Sequence, residues 1–208
     1  AVLMMTPDFP AFAPLFAQQL QQLRTATQAA LHQFQALFEP WIPHYRLAQQ
    51  DEGPHSRKRL WNLRLVFWTF LWQIAQAGAS CREAIDQARN LCLLQKRPLP
   101  PEENSPYCQA RGQLPLERLD DIHQAVVAEA AAGLATRALW CGLRVFALDG
   151  TTLTAPDTPE NQAAFPQQKG QRPGCGFPIL RLVAFFALAT GMITGWIHGA
   201  YGQSELAL

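Results

Sequence analysis

The sequence predicts an α+β protein, with helices in its first two thirds and strands in its last third. Apolar residues recur at three- and four-residue steps through about residue 134. Past Gly142 the apolar runs become short, rich in β-branched and aromatic residues and bounded by glycines, at Val145–Leu148, Leu180–Leu188 and Met192–Ile197. With 49% apolar and 16% charged residues, the 208-residue chain can bury a substantial core, which argues against disorder.

Helices account for most of the chain before residue 143. The second of them carries three tryptophans in addition to its apolar stripe, so we expect it to be central and packed on most sides. The predicted helices are Phe16–Phe38, Arg57–Ala77, Cys81 to about Gln95, one with Pro106 as its first residue and one that starts at Pro115. A further short helix is predicted to start at Pro159, inside the loop of 155–178.

The turn between the second and third helices has strong local signals. Gly78 stands where a left-handed C-terminal cap belongs, and Ser80 with Glu83 has the spacing of a capping box. This order is the outline of a helix-turn-helix unit, although an ordinary helical hairpin fits it as well. As a recognition helix, it would offer side chains that suit phosphates and base edges: Arg82, Gln87, Arg89, Asn90 and Lys96.

Positive charge is concentrated in one segment of a chain whose net charge is only +1. Between Arg57 and Arg97 there are eight basic residues and two acidic ones, and eight minus two gives a local charge of +6. Such a segment is either a patch for a polyanion or a solvated face. The candidate DNA contacts therefore also include Arg57, Lys58, Arg59 and Arg97.

Linker and cysteine patterns suggest a cytoplasmic protein of several parts. Residues 98–106 are rich in proline and predict a stiff linker between a helical region, 1–97, and a helical connector, 107–142, which precedes the strands of 143–208. Five widely spaced cysteines indicate neither a disulfide framework nor a zinc site. The uncharged run Leu182–Ile197 is 16 residues long, too short to span a membrane as a helix, and we expect no membrane association.

Asp149 is the candidate catalytic residue. It ends the run Val145–Leu148 and precedes Gly150, and a carboxylate at the end of a buried strand is a suitable ligand for Mg²⁺. However, Asp-Gly between two apolar runs is also the strongest short signal for a two-residue hairpin turn. From the residues alone both interpretations remain open.

Leu148–Leu208, which includes Gly199-Ala-Tyr-Gly-Gln-Ser-Glu205, resembles the start of the catalytic domain of DDE insertion-sequence transposases, in the branch named for insertion element four. A looser resemblance extends back through Ser80–Ala84 and Tyr107–Arg111. It implies the opening of a ribonuclease-H-like α/β domain, with three consecutive antiparallel strands and then a helix. Asp149 matches the first catalytic Asp of the family, and would be a ligand of the Mg²⁺ that the intact enzymes use.

The resemblance also implies partners and a departure from the family. It implies that the N-terminal helices grip double-stranded DNA at terminal repeats, in a nucleoid-associated homodimer. The family's second Asp and its Glu signature do not follow Gly199. We therefore expect a truncated transposase that is inactive alone, and the alternatives are a non-catalytic DNA-binding remnant or a pseudogene product.

Overall fold

The computed structural model describes residues 21, 24–42, 44–47, 60–134, 139–168, 170, 172 and 174–204. They belong to two compact units, one within 17–129 and the other made by the residues from 130 onward. The first unit is helical and the second contains a three-stranded antiparallel sheet, so the prediction of an α+β protein is confirmed. The predicted four-part division of the chain stays a prediction.

The elements follow one another in the predicted order. The helices are α1 (Leu31–Phe38), α2 (Leu63–Ala75), α3 (Cys81–Leu94), α4 (Asn104–Gly112), α5 (Leu116–Ala132) and α6 (Pro159–Ala164), with a 3₁₀ turn at His44–Leu47. The strands are β1 (Phe146–Thr154), β2 (Ile179–Ala187) and β3 (Met192–Ala200). In the part of the chain that the structure describes, no helix is long and apolar enough to cross a membrane.

Helix α2 is the centre of the first unit, as predicted. Val66, Trp68 and Thr69 are almost completely buried, and α2 packs against α1, α3 and α4. Within the described residues the helix begins at Leu63, because the side chain of Asn62 accepts a hydrogen bond from the backbone N–H of Leu65 at 3.0 Å and so caps the N-terminus. The predicted start at Arg57 lies outside the described residues.

The predicted helix Phe16–Phe38 is interrupted within its described part. Residues 24–26 are helical, 27–28 form a turn, and α1 begins only at Leu31. Side chains at the C-terminal end of α2 explain the break: Trp72 Nε1 donates to the Ala29 carbonyl at 2.8 Å, and Nε2 of the capping residue Gln76 donates to the Ala26 carbonyl at 3.0 Å. These carbonyls would otherwise accept from the next turn of a continuous helix. Tertiary hydrogen bonds therefore outweigh the local helical pattern.

The predicted caps around α3 are confirmed. Gly78 has φ of +77°, and the Ser80 hydroxyl accepts from the Glu83 N–H at 3.2 Å while the Glu83 carboxylate accepts from the Ser80 N–H at 2.7 Å. Glu83 is fully exposed, and the hydrogen bonds from the backbone N–H and hydroxyl of Ser80 lower the pKa of its carboxyl. The third helix thus starts where its sequence predicts.

The proline-rich segment 98–106 runs against the helical core. Pro100 is fully buried, and its carbonyl accepts from Arg89. Helix α4, which packs on both α2 and α3, begins at Asn104, two residues before the predicted Pro106. Helix α6 does begin at Pro159, because the Thr158 hydroxyl accepts from the Asn161 N–H at 3.2 Å and caps it.

The second unit is built on the sheet β1-β2-β3, in which each strand pairs antiparallel with the next. β2 is the central strand of the three, and its Val183 and Ala184 are buried. A bulge between Phe185 and Phe186 shifts the register against β3. Side chains of β1 are mostly exposed, including Leu148 at 61%, so β1 forms an open edge of the described sheet.

Candidate functional site

Asp149 lies within a strand, which corrects both predictions for its position. It is the fourth residue of β1, opposite Ala184 of β2, and the ladder continues through Gly150 to Thr154. The hairpin-turn interpretation is therefore wrong, and so is the placement of Asp149 at the strand's end. The β-branched residues Thr151 and Thr152 favour extended backbone and allow the strand to continue past the glycine.

The carboxylate of Asp149 is exposed and has no hydrogen-bond or ion-pair partner among the described residues. Directly opposite residues of an antiparallel sheet share a face, so Asp149 shares its face with Ala184 and, one strand further, with Trp196. The alanine has no side chain beyond Cβ that could cover the carboxylate. Both carboxylate oxygens are therefore open to an approaching ligand from the solvent side.

A complete metal site is not formed by the described part of the chain. Within it, no three His, Cys, Asp or Glu side chains come close enough together to hold a metal ion. Mg²⁺ is bound through oxygen ligands and keeps several of its waters, and a single carboxylate competes poorly with hydration. Asp149 would supply one ligand, and the others would have to come from elsewhere.

Two of the predicted DNA contacts, Gln87 and Arg89, form hydrogen bonds within the helical unit. Gln87 Oε1 accepts from the backbone N–H of Leu31 at 3.0 Å, which satisfies the first N–H of α1. Arg89 donates to the Pro100 carbonyl at 2.5 Å and forms an ion pair with Glu102 at 2.8 Å. Both side chains are occupied in holding the helical unit together.

The other predicted contacts on α3 and just after it are available to a ligand. Arg82, Asn90 and Lys96 are exposed and have no side-chain partner among the described residues, while the exposed Arg97 contacts only the side chain of Gln95, at 3.3 Å. Asp86 is also exposed, four residues after Arg82, and places a negative charge on the same face. The remaining predicted contacts, Arg57, Lys58 and Arg59, lie outside the described residues.

A polar cluster that was missed from the sequence lies where α2, α3 and α4 meet. Gln73 Oε1 accepts from the Tyr107 hydroxyl at 2.8 Å and from Arg111 at 3.3 Å, and Gln73 Nε2 faces Cys81 Sγ at 3.6 Å. Cys108 Sγ is 3.9 Å from Cys81 Sγ. Burial raises the pKa of Tyr107 to about 12. Four of its residues, Cys81, Tyr107, Cys108 and Arg111, lie in the two segments 80–84 and 107–111 that carry the looser family resemblance, and the fold brings these segments together.

The chain is similar to a transposase, the "Transposase InsG for insertion sequence element IS4" of Escherichia coli (strain K12). The two are 38% identical over 66 residues, which is 32% of this chain and 15% of the relative. The similar region is thus a small part of the relative's length. Comparisons with protein families and with solved structures found no match.

Proposed function

We propose that this chain is part of an insertion-sequence transposase. Its α3 region would bind double-stranded DNA at the ends of the element, and Asp149 would be the first ligand of the Mg²⁺ that supports DNA cleavage and strand transfer. The observation that carries the proposal is the 38% identity over 66 residues to a transposase of an insertion sequence. The antiparallel order β1-β2-β3 supports a ribonuclease-H-like catalytic domain, in which Asp149 lies on the first strand.

The chemistry of the proposed reaction needs two divalent cations. In strand cleavage, a water is made nucleophilic and the leaving 3′ oxygen is stabilised, and in strand transfer the 3′ hydroxyl is the nucleophile. Two cations about 4 Å apart serve both oxygens, and acidic residues on a rigid sheet hold them in place. Asp149 has the exposure and the unused oxygens for this role. Assayed alone, the chain 1–208 is expected to be inactive, because one carboxylate holds Mg²⁺ weakly.

The catalytic part of the proposal is tested with Asp149→Asn, which keeps the shape of the side chain and removes its charge. In the longest protein that contains this chain, with DNA of the element that encodes it, strand transfer should fall at least about a thousandfold, as loss of a catalytic group commonly does. DNA binding should be unchanged. Glu160→Gln, an exposed carboxylate of α6, is the matched control and should leave strand transfer intact. Normal strand transfer by the Asp149 variant would refute the assignment.

The DNA-binding part is tested by the salt dependence of affinity. Each phosphate contact contributes about 0.9 to the slope of log K against log salt. Arg82→Gln with Arg97→Gln should therefore reduce the magnitude of that slope by about 1.8. The control pair is Arg24→Gln with Arg144→Gln, which removes the same charge from exposed arginines outside α3. Fluorescence anisotropy with a labelled duplex measures the affinity of each double variant over a range of salt concentrations. If the slope falls equally in the two double variants, a contact through the α3 region is contradicted.

A further inference from the structure

Two cysteines from distant parts of the sequence face each other in the helical unit. Cys81 is the first residue of α3 and Cys108 lies in α4, and their Sγ atoms are 3.9 Å apart. Both residues are partly buried and keep some contact with solvent, so small reagents can reach them. A disulfide needs a separation of about 2 Å, so closing it requires the two side chains to rotate toward each other.

The groups around Cys81 stabilise its thiolate. Gln73 Nε2 donates toward Cys81 Sγ at 3.6 Å, and an N–H of Arg111 points to it from 3.9 Å. Arg111 is itself held in place, because its guanidinium lies over the rings of Phe70 and Tyr107 at 5.5 and 5.7 Å from their centroids. The hydrogen bond from Gln73 and the charge of Arg111 lower the pKa of the Cys81 thiol, whereas burial raises the pKa of Cys108. Cys81 therefore ionises first and is the better nucleophile at neutral pH.

We propose that Cys81 and Cys108 form a redox-reactive dithiol, which a hydroperoxide closes to an intramolecular disulfide. The Cys81 thiolate attacks one oxygen of hydrogen peroxide, the O–O bond breaks, and Cys81 becomes a sulfenic acid while the departing hydroxide takes up a proton. The Cys108 sulfur then attacks the Cys81 sulfur, the S–O bond breaks, and a second water leaves. Two thiols and one peroxide thus give one disulfide and two waters. This chemistry is independent of any role in DNA transposition.

The other three cysteines provide internal comparisons. Cys92 is buried, which raises the pKa of its thiol and shields it from reagents. Cys141 and Cys175 are exposed but have no side-chain hydrogen bond to the described residues. Accessibility alone would make Cys141 and Cys175 react first, whereas thiolate stabilisation favours Cys81.

The decisive experiment maps the disulfides after limited oxidation. The purified reduced chain is treated with one equivalent of hydrogen peroxide, the remaining thiols are alkylated, and tryptic peptides are identified by mass spectrometry. Trypsin separates the two cysteines, because Cys81 lies in 65–82 and Cys108 in 97–111, where Pro98 protects the bond after Arg97. The expected product is a single species in which these two peptides are joined and the other three cysteines are alkylated.

Three variants keep the proposal falsifiable. Cys108→Ser should lose the cross-link and accumulate a sulfenic acid at Cys81, which dimedone captures, and Cys81→Ser should lose the cross-link without such capture. Cys175→Ser is the matched control and should form the cross-link at the normal rate. The proposal would be overturned if Cys141 or Cys175 reacted as fast as Cys81, or if the disulfides formed only between chains.

Discussion

The end of α3 makes a quantitative prediction about stability. Lys96 follows the helix with φ of +52°, a left-handed conformation that residues with a Cβ rarely adopt. The Arg97 N–H donates to the Cys92 carbonyl at 2.9 Å and the Lys96 N–H to the Leu93 carbonyl at 3.1 Å. These two hydrogen bonds form a Schellman motif, in which glycine is the usual residue at the position of Lys96. Lys96→Gly should therefore stabilise the helical unit.

The expected gain comes from two opposing effects. A residue with a Cβ is less favourable than glycine in the left-handed region by roughly 1–2 kcal/mol. Glycine in turn has greater freedom in the unfolded chain, which costs about 0.5–1 kcal/mol on folding. The difference is a stabilisation of about 0.5–1 kcal/mol, equivalent to an increase in Tm of about 2–5 °C for a unit of roughly 100 residues.

Urea denaturation followed by tryptophan fluorescence measures the effect, since Trp61, Trp68 and Trp72 are all buried in this unit. The control is Lys96→Ala, which removes the same charge and keeps the Cβ. If Lys96→Gly is no more stable than Lys96→Ala, the left-handed strain is not the cause and the reasoning fails. Lys96 is also a candidate phosphate contact, and both variants remove its charge. They should therefore lose DNA affinity equally, although their stabilities differ.

Three further predictions concern other single residues. Gln87→Ala should destabilise the unit by about 1–2 kcal/mol in urea denaturation, because the N–H of Leu31 loses its acceptor, whereas Gln87→Glu should retain most of the stability. The pKa of Glu83 is lowered in the folded state, so its stabilising contribution is present at neutral pH and is lost as pH falls through the folded-state pKa. The Ser80→Ala variant lacks one of the hydrogen bonds that lower this pKa. When Tm is measured against falling pH, this variant should therefore lose less stability than the wild type. Cys141 has φ of +51° in a tight turn, a conformation that asparagine tolerates well and that a β-branched residue adopts poorly. Cys141→Asn should therefore raise the Tm of the sheet unit by a few degrees, whereas Cys141→Val should lower it.

Local signals explain what the sequence predicted well. The start of α3 depends on Ser80 and Glu83, which lie three residues apart, and the start of α6 depends on Thr158 and Pro159. In each case the residues that form the cap are also the residues next to the helix, so the sequence contains the whole interaction. The succession of β2 and β3 was predictable for the same reason, since the apolar runs of 180–188 and 192–197 are consecutive and separated by a short glycine turn.

Features that depend on distant partners were not predictable. The break before α1 is produced by Trp72 and Gln76, more than forty residues later in the chain. The pairing of Cys81 with Cys108 depends on how α3 packs against α4. The position of Asp149 depends on β2, which supplies a paired strand alongside 149–154 and so favours extended backbone over a turn. In each case a local pattern was outweighed by tertiary contacts.

The basic segment shows why a count of charges is a weak argument for a DNA interface. Of the eight basic residues between 57 and 97, Arg64 pairs with Glu39 at 2.7 Å and Arg89 pairs with Glu102. An arginine held by a carboxylate adds little net potential to a surface, because the pair is neutral at distances beyond a few ångströms. Of those described, only Arg82, Lys96 and Arg97 remain available, and Arg97 and Lys96 both lie at the end of α3. Two of these three cations therefore lie just beyond the C-terminal end of α3, and the third lies in its first turn.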